Sequence, residues 1–269
     1  VDLGGRPTLK NTEWNQGWHF IKPKWDEWAL RLKLYNNQKR DKEAVGDNTM
    51  FSVFQTVLAS LYNDRLEAAF SPRESGDDET AENLTIMAEF DYDEMEKEVL
   101  DYEWEWEAMF FGRGLVCLME FDPDNLTPVP ELWNVMSVVR DPYAKSVNGD
   151  IKGRGRARFM YREIRMTKYE MEEAGVYFNF KNLKPSNLSK DQKSLIDENM
   201  RLTADAMGLG DVSKMEDVTG DNATIRLVEG FTMRKGKRCM VTVSDDFKTV
   251  VRYHELPKKD IPIIDRTLF

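Results

Sequence analysis

The stretch from Asp91 to Pro142 restricts the possible folds more than any other part of the chain. It opens as an acidic segment, DYDEMEKEVLDYEWEWEAMFF, and breaks at Gly112-Arg113-Gly114. An apolar run, LVCLMEF, follows, then a Pro-rich turn and a second run, LWNVMSVV, which stops at Arg140-Asp141-Pro142. Tyr92, Met95, Val99, Tyr102, Trp106 and Phe110 recur at steps of three and four. That spacing predicts one helix, beginning near Leu84, with an apolar face about five turns or ~27 Å long. The acids between them, from Glu94 to Glu107, are expected to face water, because like charges this close destabilise a helix unless solvated or met by a basic partner. Gly112 and Gly114 mark its stop. Leu115–Phe121 reads as a strand covered on both faces, Asp122-Pro123-Asp124-Asn125 as a turn, and Leu132–Val139 as a second strand beside the first.

Residues 1–23 read as a loose arm punctuated by Gly4, Gly5, Pro7, Gly17 and Pro23, with Trp14 and Trp18 as candidate docking anchors for a partner. Trp25, Trp28, Leu32 and Tyr35 predict a helix over 24–38. Asp47 is an N-cap candidate for a core helix over 48–70 that carries Met50, Phe54, Val57, Leu58 and Leu61 on one stripe and ends before Ser71-Pro72. Residues 156–165, RARFMYREIR, read as a strand, and Thr167 as the cap of a short helix closed by Gly175. A helix over 190–206 follows an irregular linker. Three strands, Ala223–Arg234, Lys237–Ser244 and Thr249–Leu256, then form a meander. The expected fold class is α+β: long helices on a small mixed or antiparallel sheet, with a C-terminal β meander. The expected partition is an arm and first helix (1–46), a helical and sheet core (47–175), a linker with one helix (176–222) and the meander (223–269). Val1 in place of a methionine and the apolar tail KKDIPIIDRTLF are read as signs of a processed or partial chain.

Charge is unevenly placed. The net charge is −10, yet Glu74–Glu107 holds fifteen acidic side chains against Lys97 alone, and Lys145–Lys168 holds eight basic ones against Asp150 and Glu163. Blocks of this kind belong to solvated faces or to complementary interfaces. A chain this acidic is a poor general nucleic-acid binder, since phosphate contacts need local positive charge. Cys117 and Cys239 each lie in strand-like apolar runs and are expected as buried, reduced thiols. No run reaches the roughly 18 apolar residues of a membrane span.

Sequence signals for chemistry are sparse. His19 and His254 lack metal-spaced partners, and there is no zinc pattern, nucleophile elbow or Walker loop. No cofactor or metal site is expected. Asp91, Asp93 and Glu94, with Asp122 and Asp124, keep open a metal-dependent nuclease, which needs clustered carboxylates. The run Arg154, Arg156, Arg158, Arg162, Arg165, with Phe159 and Tyr161 interleaved, keeps open a nucleic-acid-binding module. In a strand, Arg154, Arg156 and Arg158 would share one face. That face can equally meet an acidic surface of a neighbouring subunit, which makes Glu98, Asp101 and Glu105 with Arg154, Arg156 and Arg158 the candidate subunit-interface residues.

The segments FFGRGLVCLMEFD and PVPELWNVMSVVRDPYA together resemble the wing region of portal proteins of tailed bacteriophages, where a helix-to-strand step with glycine precedes a strand ending in Asp-Pro. YNNQKRDKEAVGDNTMFSVFQTVLASLYND resembles that family's early helical segment, and GRARFMYREIRMTKYEMEEAG its strand and short helix. The resemblance spans roughly residues 30–175. It implies a structural, non-enzymatic subunit of a ring, commonly of twelve copies, at one capsid vertex. Double-stranded DNA would pass through the ring without sequence specificity. The implied partners are other copies of the chain, the major capsid protein, the terminase and a head-to-tail adaptor; the implied location is the virion, and the host cytoplasm during assembly. No pair of long stem helices precedes Phe269, so the chain would correspond to the N-terminal wing portion, with channel-lining residues lying elsewhere.

Overall fold

A computed structural model describes residues 9–35, 49–61, 68–121, 128–150, 152–184 and 223–267. The fold is α+β: helices with two antiparallel sheets. The chain separates into two compact units, one from Val1–Gly46 with Met136–Ile261, the other from Asp47–Val135 with Pro262–Phe269.

The first unit is organised by a five-stranded antiparallel sheet of β3 (Val138–Arg140), β4 (Phe159–Met166), β5 (Ile225–Arg234), β6 (Lys237–Ser244) and β7 (Val250–Glu255), paired in that order. The meander expected from alternation and turn residues is present nearly to the residue. The helix α1 (Asn11–Tyr35) covers the sheet face that carries Val139 and Tyr161: the Tyr161 hydroxyl donates to Glu13, and Trp14 packs on Phe247. Residues 11–23 are therefore helical rather than a loose arm. Gly17 permits this, because a Cβ there would stand 2.1 Å from Val139 Cγ1 and 2.8 Å from the Arg140 carbonyl. Pro23, which cannot donate a helical hydrogen bond, sits on the exposed side of α1. On the opposite sheet face, Ile225 and Leu227 pack with Met171 of α5 (Lys168–Glu173), Phe180 and Val251. Thr167 and Glu170 close α5 with a reciprocal capping box.

One row across this sheet is ionic. Arg162, Glu229, Thr242 and Arg252 are successive cross-strand partners. The buried Glu229 accepts from Arg162 Nη2 at 2.8 Å and Thr242 Oγ1 at 3.0 Å, with Arg252 Nη1 at 3.8 Å. Such a carboxylate is tolerated because both its oxygens meet donors.

In the second unit, β1 (Arg113–Phe121) lies between β2 (Pro128–Leu132) and β8 (Ile263–Thr267). The expected strand 132–139 is thus divided. Leu132 ends β2, Val135–Ser137 forms a 3-10 turn, and Val138 opens a strand of the other sheet. The long acidic helix is also divided, into α3 (Asp78–Glu94) and α4 (Lys97–Phe111), because Glu96 takes a left-handed conformation with φ 46°. Gly112, at φ 78°, ends α4. Gly114 lies against the Trp104 ring, where a Cβ would come within 2.3 Å of Cδ1. The core helix expected over 48–70 is α2 (Thr49–Leu61), and 68–70 are not helical. Of its stripe, Leu58 is fully buried, while Phe54 packs on Trp106 and Phe110 of α4. Val57 and Leu61 are exposed. The expected turn 122–125 and the helix 190–206 lie outside the described residues.

Candidate interaction surfaces

The acids of α4 do not all face water. Asp101, Glu105 and Glu107 are buried, and only Glu98 of the three acidic interface candidates is exposed. Lys97, Asp101, Glu105 and Ala108 recur at helical steps on one side. Asp101 pairs with Lys97, and Glu105 with Arg266 of β8, whose guanidinium lies over the Trp104 ring. Arg113 and Asp265 form a bidentate pair at 2.7 Å nearby. Only for Glu105 does the cation come from a distant part of the chain; the partner of Asp101 is Lys97, one turn earlier on the same helix. Glu107 accepts from the Val135 backbone N–H, and burial, with the neighbouring Glu103 adding to it, pushes its carboxyl up to about 8. Its other oxygen is buried without a hydrogen bond.

The three candidate arginines lie in a loop ahead of β4, not in a strand with one shared face. Arg154 Nε donates to Asp150 at 2.7 Å, and Arg156 pairs with Asp260 at 2.8 Å. Arg158 grips Asp141 with two bonds, of 2.6 and 2.9 Å, and lies over the Tyr143 ring. Burial pushes the Asp141 carboxyl up, but Arg158 and the Tyr143 and Arg158 backbone N–H groups outweigh it and hold it below the usual range. The loop is tied to the segment before β8. Asn148 exchanges two hydrogen bonds with the Ile261 backbone, and Arg156 donates to the Lys259 carbonyl.

Beneath both lies Arg238, which is 0% exposed. It donates to the carbonyls of Ala157, Arg158 and Lys259 at 3.0–3.1 Å. Burial, and then the like charge of Arg156, bring its guanidinium down to about 10. Sequence reasoning placed Arg238 as an ordinary strand residue, since carbonyls so remote leave no local signal. The loop so pinned forms a basic shelf. Lys145, Lys152, Arg154, Lys258 and Lys259 are exposed on it, and Tyr143 stands out at 80% exposure.

Trp14 is buried in its own unit, and the half-buried Trp18 packs edge-on against Trp25 at 4.3 Å. Of the carboxylates considered for a nuclease, Asp91 is half-buried and Asp93 and Glu94 are exposed; Asp122 and Asp124 lie outside the described residues. Among the described residues no group of three or more His, Cys, Asp or Glu side chains converges as metal ligands, and no helix is long and apolar enough to cross a membrane. Cys117 and Cys239 are buried, and neither is in a disulfide.

The second unit exposes apolar side chains along its helices: Val53, Val57 and Leu61 on α2, and Leu84, Ile86, Met87 and Phe90 on α3. Helix α3 turns Ala81, Thr85 and Ala88 inward and this apolar arc outward. No protein-family model matches the chain, and no curated protein shows significant sequence similarity to it.

Proposed function

We propose that this chain is a structural subunit that assembles with copies of itself, and that the assembly is the ring of a tailed-phage portal, of which this chain forms wing structure. The observation that carries the assembly reading is the outward apolar arc of α3. Ile86, Met87 and Phe90 are 56%, 60% and 55% exposed on a helix that also exposes Glu79, Glu82 and Glu89. Clustered apolar side chains of this kind mark interaction surfaces on folded proteins, and heterologous contacts between copies close into rings. The portal reading rests on the resemblance carried by FFGRGLVCLMEFD and PVPELWNVMSVVRDPYA. On this reading the ring passes double-stranded DNA and meets terminase, capsid protein and adaptor, while the chain itself performs no covalent chemistry.

Negative-stain electron microscopy across a range of protein and salt concentrations tests it. Rings with a central opening are expected. A field of single, small particles under every condition contradicts the proposal.

A further inference from the structure

The structure assigns the outer face of α3 as a docking ridge for the basic shelf around Tyr143 on a second copy of the chain. This inference rests on the self-assembly reading above and gives it a contact. The ridge combines Ile86, Met87 and Phe90 with Glu79, Glu82 and Glu89 along their flank, all exposed. Burying those apolar side chains favours association, whereas the acids beside them lose water and need cations in return. An apolar-only partner would leave them uncompensated.

The shelf supplies the missing complement. It presents one large exposed aromatic, Tyr143, among Lys145, Lys152, Arg154, Lys258 and Lys259. It is also held in shape before any partner arrives. Arg238 and Asn148 fasten its two segments, and Arg158, clamped on Asp141, backs the Tyr143 ring. A preformed aromatic-and-cation surface loses little freedom on docking. Complementary potentials then fix the register of the two copies. Nucleic acid could also meet a basic shelf, but it has no use for the apolar arc, whereas a second copy accounts for both surfaces together. The ridge and the shelf differ, so the contact is head-to-tail and leaves one copy an unused shelf and the other an unused ridge for the next neighbours.

Charge exchange between two variants tests the contact. In E79K/E82K/E89K both faces are basic; in K145E/K152E/K258E both are acidic. Each alone is expected to self-associate at least about tenfold more weakly than wild type, since like charges now face each other. An equal mixture of the two is expected to recover association, because every ridge again meets a shelf of opposite sign. Recovery also shows that both variants are folded. F90S is expected to weaken association at low and high salt alike.

Single variants that assemble as well as the wild type, or a mixture that stays dissociated, overturn the contact while leaving the assembly reading in place. A wild type that never associates overturns both. Wild-type binding to a short DNA duplex, lost in K145E/K152E/K258E while that variant still self-associates, assigns the shelf to nucleic acid and overturns the contact too.

Discussion

Glu107 carries its carboxyl into a site where burial, more than any charge, sets its ionisation. In the folded chain it titrates near 8, against an ordinary 4.5. Between those values the folded state keeps a proton that the unfolded chain releases. Stability is therefore full below about 4.5 and falls as pH rises toward 8, by up to about 1.4 kcal/mol per pH unit. Glu107→Gln keeps an acceptor for the Val135 N–H and removes the titration. Its stability relative to wild type is expected to grow steadily across this window in urea melts at successive pH values; a constant difference would contradict the assignment. Arg238 is the converse case, a buried cation whose donors satisfy three carbonyls. Arg238→Met keeps the volume but orphans those carbonyls, and a loss of about 2–4 kcal/mol is expected in chemical denaturation.

At the scale of elements, legibility in the sequence followed the range of the interactions. The meander and α5 were readable because alternation, turn residues and a capping box are local signals. The break at Glu96 was not, since no glycine or proline marks it and a non-glycine residue takes the left-handed conformation there. Likewise Glu105 looks like a solvent-facing acid until β8 brings Arg266 to it. Gly17 misled in the opposite direction, because it reads as punctuation but marks a crossing. In an exposed helix, Gly→Ala would gain about 1 kcal/mol. Here the added methyl meets Val139 and the Arg140 carbonyl, so Gly17→Ala is expected to destabilise by about 1–3 kcal/mol. A thermal melt of that variant decides the sign; a higher midpoint would refute the crossing.

For the molecule as a whole, the charge asymmetry visible in the sequence was real, but its meaning changed once the side chains were placed. Candidate interface residues hold partners inside their own chain: Asp101 with Lys97, Glu105 with Arg266, and the three arginines with Asp150, Asp260 and Asp141. What remains outward is an acidic, apolar ridge on α3 and a basic shelf around Tyr143. Sequence periodicity could not identify the ridge, since an apolar stripe looks the same whether it meets its own core or another subunit. The sharpest test of self-assembly is the native mass of the particle over a dilution series at low and high salt. The account predicts a closed species at a whole-number multiple of 31.4 kDa, near twelve copies on the portal resemblance, held less tightly but not lost as salt screens the ridge and shelf. A single species at 31.4 kDa under every condition would contradict it.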